Sequence, residues 1–142
     1  LATNQSGIGQ GLFDMAALNS VHARMLKSLS AVGGRIDAIF YCPHAPDEGC
    51  ACRKPEPGLL FQIQERYGVS LTGVPYVGDS LRDMQAAETV GCVPHLVRTG
   101  RYPDVTALTL PPAFPVGTQV HADLAAFVDH LLGEAAAVRA LS

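Results

Sequence analysis

Apolar positions along this chain follow two alternating rhythms. Leu18, Val21, Met25, Leu26 and Leu29 recur at i, i+3, i+7, i+8 and i+11, which predicts a helix capped by Asp14 and running to about Leu29. Gly33 and Gly34 end that unit, and the run IDAIFY (36–41) predicts a buried strand. The segment EPGLLFQIQERYG (56–68) carries Pro57 near a first helical turn and Gly68 where a helix stops. VPYVGDS (74–80) reads as a strand ending in Gly-Asp, LRDMQAAETVG (81–91) as a helix stopped by Gly91, and CVPHLV (92–97) as another strand. At the start, residues 1–3 read as the tail of a strand and NQSGIGQG (4–11) as a polar, glycine-rich loop. Strands and helices therefore alternate, which predicts an α/β fold with a parallel sheet and covering helices. Beyond Val97 the pattern weakens: Pro111, Pro112 and Pro115 predict loop up to Gln119, and a last amphipathic helix capped by Asp123 closes the chain.

Composition adds exclusions. A chain of 142 residues, 48% apolar, fits one domain without internal repeats or an evident boundary, and can bury roughly two thirds of its unfolded surface. Ten basic against 13 acidic residues give a net charge of -3. The basic residues are scattered, so no nucleic-acid footprint is expected and any bound anion should be small. No apolar run reaches the ~18 to 20 residues of a membrane span, and no signal-peptide pattern opens the chain. The expectation is a cytoplasmic monomer. Because Leu1 is not a methionine and LAT reads as a strand end, the chain is expected to continue from an upstream segment.

Chemistry concentrates in CPHAPDEGCACRKP (42–55), which holds three of the four cysteines. Cys42, His44, Cys50 and Cys52 form a soft four-ligand set suited to tetrahedral zinc, with no position left open for catalysis. Reduced structural thiols, or a disulfide among the three cysteines, are the alternatives. A zinc ion would order a loop nearly devoid of apolar side chains and hold the adjacent Arg53 and Lys54 as fixed cations for an anion. Asp79 and Asp83 stand one helical turn apart after a strand, where carboxylates can hold Mg2+, although a Gly-Asp-Ser start is also an ordinary helix cap. Thr3 and the backbone N–H groups after it can cradle a phosphate at the same kind of edge. His22, His95, Cys92, His121 and His130 read as packing or surface residues, and Arg98 and Arg101 as exposed.

A Thr after one strand, a Lys after the next and a Gly-Asp after the third resemble the haloacid dehalogenase-like phosphohydrolases, whose second to fourth motifs have that order. TNQSGIGQGLF (3–13), CPHAPDEGCACRKPEPG (42–58) and GDSLRDMQAA (78–87) are similar to the heptose-bisphosphate phosphatase family within it, from Leu1 to about Gly100. The resemblance implies a Rossmann-like three-layer parallel sheet carrying a zinc loop at 42–52. It implies Mg2+-dependent removal of the 7-phosphate of D-glycero-D-manno-heptose 1,7-bisphosphate through an aspartyl-phosphate, in lipopolysaccharide-precursor synthesis. Thr3 would bind the transferring phosphoryl group, Asn4, Gln5 and Ser6 would line the substrate site, Arg53 would recognise substrate and Lys54 would offset phosphoryl charge. Asp79 would ligate Mg2+ with Asp83 supporting it from behind, and Ser80 has no implied role. The family's D-x-D, which supplies nucleophile and acid/base aspartates, occurs nowhere in these residues. The expectation is therefore a single domain lacking its first strand and inactive as it stands. Histidinol-phosphate phosphatase shares a similar Cys/His loop and is the alternative within the superfamily; a zinc-stabilised, non-catalytic phosphosugar-binding module is the alternative outside it.

Overall fold

The computed structural model describes residues 1–142, arranged as two compact units, 1–68 and 69–142. In the first, the elements are β1 (Ala2–Asn4), α1 (Ser6–Gly9), α2 (Met15–Ser30), β2 (Phe40–Cys42) and α3 (Gly58–Tyr67). β1 and β2 pair in parallel, Ala2 with Phe40, Thr3 with Tyr41 and Asn4 with Cys42. Because both strands run the same way, their carboxyl ends deliver the chain to one edge. Asp14 caps α2 by accepting from the Ala17 N–H at 2.9 Å. α3 starts after Pro57 and stops at Gly68, whose φ of 60° is left-handed, a conformation glycine adopts without the Cβ penalty.

Three expectations for this unit shift. The segment read as a loop contains the one-turn α1, whose Ile8 N–H bonds the Gln5 carbonyl and whose Gly9 N–H bonds the distant Pro43 carbonyl, so no apolar periodicity announces it. The strand expected over 36–41 forms only at Phe40–Cys42, so the first cysteine of the metal loop belongs to the sheet. Leu18 is 3% exposed, whereas Val21 is 63% exposed and Leu26 is 39% exposed. The inward face of α2 therefore follows Met15, Leu18, His22, Met25 and Leu29, a heptad-like stripe that takes in His22, whose ring lies 6.5 Å from that of Tyr41.

The second unit comprises β3 (Pro75–Gly78), α4 (Leu81–Thr89), β4 (Val93–Val97), β5 (Gln119–His121) and α5 (Leu124–Leu141). Its strands are parallel in the order β3-β4-β5. β5 lies where sequence reading placed loop and helix: a three-residue strand behind a proline-rich stretch has too few positions to show a period of two. The intervening segment is folded, with Phe114 joining Met84 and Leu96 in the core and Tyr102, Val105 and Leu110 packing on them. Tyr102 meets Phe114 edge-on at 5.1 Å. No helix of the molecule is long and apolar enough to cross a membrane.

His95 on β4 is the most deeply buried polar residue of this unit, 1% exposed. Its Nδ1 shares a hydrogen bond with His121 Nε2 at 2.9 Å, and Phe127 covers its ring at 4.9 Å. His130 lies inside α5 rather than beside it, 5.1 Å from the His121 ring and 5.7 Å from that of His95. Burial, then the neighbouring His121 and His130, push the His95 imidazole below its usual 6.5 against a smaller opposing pull from Glu134; burial and His130 do the same for His121. A histidine held neutral in the fold binds protons more readily when unfolded, so its stabilisation is complete above about pH 6.5 and is lost as pH falls below it. We expect the melting temperature to drop by several degrees between about pH 7.5 and 5.5, and a His95→Gln, His121→Gln variant to show a flatter dependence. Parallel pH profiles for the two proteins would remove this cluster as the cause.

Candidate phosphate site and metal loop

The register of β1 on β2 positions the candidate residues of the first unit. Past the paired ends, the Gln5 N–H donates to the Cys42 carbonyl at 2.8 Å and the Gly9 N–H to the Pro43 carbonyl at 2.8 Å. α1 is thereby pinned to the beginning of the Cys/His loop. A Cβ on Gly9 would overlap the Ala45 amide and the Glu48 carboxylate, which itself accepts from the Ala45 N–H. Glycine is required there for close approach.

Behind this contact sit the residues expected to handle phosphate. Gln5 Nε2 donates to the Thr3 hydroxyl oxygen at 3.1 Å. Lys54 is 9% exposed, and its Nζ donates to the Ala2 carbonyl at 2.9 Å, one residue from Thr3. The Asn4 side chain faces the Lys54 backbone: its Oδ1 accepts from the Lys54 N–H at 3.0 Å and its Nδ2 donates to the Lys54 carbonyl at 3.2 Å. Ser6 opens α1. Arg53 Nη1 is buried without a hydrogen-bond partner. Buried donors are almost always satisfied, so an unpaired guanidinium nitrogen points to a ligand.

The Cys/His loop converges as its spacing suggests. The ligand atoms of Cys42, His44, Cys50 and Cys52 all lie within 4.8 Å of one another. Cys42 Sγ is 3.4 Å from His44 Nδ1 and 3.5 Å from Cys50 Sγ, and His44 Nδ1 is 3.2 Å from Cys52 Sγ. The edges of a zinc tetrahedron with bonds of about 2.0 to 2.3 Å are roughly 3.5 to 3.8 Å, so little movement would close it on an ion. Burial pushes the Cys50 thiol up, but backbone hydrogen bonds at Cys52 and Arg53 and thiol contacts with Cys42 and Cys52 outweigh it, leaving about 7. Burial, with hydrogen bonds and charge from Cys42 and Cys50, pushes Cys52 up to about 12. These opposed shifts describe Cys50 and Cys52 competing for a proton, which a divalent cation bound among the four side chains would relieve.

In the second unit, β3 ends at Gly78 and exposes Asp79. Ser80, whose role the sequence left open, caps α4: its hydroxyl oxygen accepts from the Asp83 N–H at 3.4 Å. The Asp83 carboxylate in return accepts from the Ser80 N–H at 3.2 Å and its hydroxyl at 2.8 Å, a capping box. Asp83 is 5% exposed and packs on Gly78, where a Cβ would collide with it. Asp79 packs against Gly100 in the same manner. The loop after β4 therefore approaches the Asp79 carboxylate, a contact that no local sequence signal discloses. Arg101 is exposed and Arg98 half-buried, its N–H donating to the His121 carbonyl at 3.1 Å.

Comparison with known proteins gives these pieces a context. A family model described as HAD-hydrolase-like matches residues 51–126. The D-glycero-beta-D-manno-heptose-1,7-bisphosphate 7-phosphatase of Bordetella bronchiseptica is 56% identical over 135 residues, 95% of this chain and 74% of that protein. The chain belongs to this phosphatase family of haloacid dehalogenase-like hydrolases. Its members are phosphoric monoester hydrolases. The Pseudomonas aeruginosa phosphatase of the same name is 49% identical over 132 residues, 93% of this chain and 72% of that one. Among solved structures, the D,D-heptose 1,7-bisphosphate phosphatase of B. bronchiseptica, complexed with magnesium and phosphate, matches with a TM-score of 0.88 at 55% identity. That match covers 94% of this chain and 73% of the other. The Burkholderia thailandensis phosphatase matches with a TM-score of 0.68 at 43% identity, covering 92% of this chain and 72% of that one.

Proposed function

We propose that the chain serves the Mg2+-dependent removal of the 7-phosphate from D-glycero-D-manno-heptose 1,7-bisphosphate, acting as a cytoplasmic monomer on a small phosphorylated sugar in lipopolysaccharide-precursor synthesis. The observation that carries this reading is the Lys54 ammonium held on the Ala2 carbonyl beside Thr3, with a buried Arg53 nitrogen on the preceding residue that has no hydrogen-bond partner. In that reading Thr3 donates its hydroxyl proton to a phosphoryl oxygen, which the Gln5 contact favours by occupying a lone pair of the Thr3 oxygen. Lys54 and Arg53 supply positive charge fixed before substrate arrives. Gln5 and Ser6 border the sugar, while Asn4 faces the Lys54 backbone.

Asp79 offers a hard oxygen donor at a strand end, suited to magnesium, and Asp83 stabilises the turn that presents it. Bound there, Mg2+ would neutralise charge on the transferring phosphoryl group. The Cys42, His44, Cys50 and Cys52 set fits structural zinc, and residues 1–142 act as one phosphohydrolase domain with the zinc loop inside it. The nucleophilic and acid/base aspartates of the family's D-x-D are not among these residues.

The test is phosphate release by the natural polypeptide from heptose bisphosphate and from histidinol phosphate. We expect the sugar to be preferred by at least about a hundredfold in kcat/KM. Preference for histidinol phosphate would move the assignment to the related phosphatase. Binding of the sugar without release of phosphate would replace the hydrolase with a phosphosugar-binding module.

A further inference from the structure

We propose that Asn4 is a positioning residue for Lys54, acting through the lysine's backbone rather than through the substrate. The proposal rests on the assignment of Lys54 to phosphoryl binding, and it changes what the polar residue at the end of β1 is for.

The geometry is a closed pair of hydrogen bonds across 50 residues of sequence. Asn4 Oδ1 takes the Lys54 N–H at 3.0 Å, and Asn4 Nδ2 gives to the Lys54 carbonyl at 3.2 Å. Turning the carboxamide over would set donor against donor and acceptor against acceptor, so both bonds fix one orientation of the side chain. Each end of the Asn4 carboxamide thus has one bond to the Lys54 backbone, which holds the two residues together. A carboxylate at this position could accept the N–H but could not serve the carbonyl, and a glutamine would bring its amide one methylene too far. Asparagine matches the spacing of a single residue's N–H and C=O.

The consequence for Lys54 follows from its flexibility. A lysine is a point charge on a stem of four methylenes, which must be held for the charge to act as a preorganised donor. β1 holds it at both ends: Asn4 fixes the backbone, and the Ala2 carbonyl receives Nζ at 2.9 Å. Asn4 is itself fixed by its strand register opposite Cys42. Lys54 thus has an anchor on the sheet in addition to its covalent attachment to the Cys/His loop.

Two measurements test this. In amide hydrogen exchange, Asn4→Ala should cut the protection of the Lys54 N–H by at least about tenfold, while Asn4→Asp, which keeps the acceptor, should retain most of it. The Gly58 N–H, bonded to the Ala51 carbonyl at 2.9 Å, reports whether the fold is otherwise intact. Unchanged Lys54 protection in Asn4→Ala overturns the bracket, whether or not the protein proves to be the phosphatase proposed. In turnover by the natural polypeptide, Asn4→Ala should lower kcat by about tenfold to a hundredfold with little change in KM, as a displaced catalytic group does. The same substitution introduced into Lys54→Ala should have almost no further effect. A full additional loss in that background, or a rise in KM alone, would show Asn4 contacting substrate directly and would sink the proposal.

Discussion

Cys42→Ser is expected to strip the chain of bound zinc, from about one ion per chain to less than about a tenth, and to unfold the loop from 42 to 52. A structural zinc in small peptide sites contributes roughly 10 to 16 kcal/mol of apparent binding free energy, against a total folding stability of about 5 to 15 kcal/mol for an ordinary domain. Cys42 is fully buried at the end of β2 and touches both His44 and Cys50, so it is the ligand through which the loop joins the sheet. Between the four ligands, only Ala45 is a buried apolar side chain; Gly49 sits at a φ of 68°, Ala51 is exposed, and the rest is polar or proline. Without a metal, little else opposes the entropy of such a segment. Metal analysis together with thermal unfolding checks the expectation. Zinc-free protein isolated from zinc-replete growth, or a Cys42→Ser variant that melts with wild type, would show that the four side chains cluster for another reason.

That loop was readable in the sequence because its determinant is local. Four ligands within eleven positions form a set that almost any turn can close around an ion. Helix ends were readable for the same reason: Asp14, Asp123 and Gly68 act on groups a few residues away. The failures share the opposite property. α1 owes its place to hydrogen bonds from Gln5 and Gly9 to Cys42 and Pro43, far along the chain. β5 is a strand because His95, Leu96 and Val97 of β4 offer it a ladder, a fact absent from the residues 119–121 themselves. On α2 the apolar set was visible but its orientation was not, because Val21 and Leu26 fit the helical period as well as Met15 and His22 do. Only the neighbouring strands decide which face turns inward.

The same division runs through the candidate site. Thr3, Lys54 and Asp79 could be named from their places after successive strands. The links that hold them could not: Asn4 to the Lys54 backbone, Gln5 to Thr3, and Gly100 against Asp79. They join side chain to backbone, side chain to side chain, and glycine to side chain, without a compositional trace. Asp83 is the intermediate case. Its spacing from Asp79 was evident, but its capping of α4 through Ser80 emerges only from the folded turn.

Lys54→Ala should lower kcat by about a hundredfold or more, the usual cost of deleting one preorganised donor to developing negative charge. The structure makes this a sharper test than most lysine deletions. The anchoring contacts from Asn4 go to the Lys54 backbone, so alanine keeps them and the chain path from Cys52 into α3 is maintained. Loss of turnover should therefore come without loss of zinc, and with a melting temperature within a few degrees of wild type. Arginine should restore little, because a planar fork cannot occupy the tetrahedral donor position next to the Ala2 carbonyl. If turnover in Lys54→Ala stays within about twofold of wild type, the buried ammonium is a structural cation bound to β1, and phosphoryl charge must be met by Arg53 and the magnesium site instead.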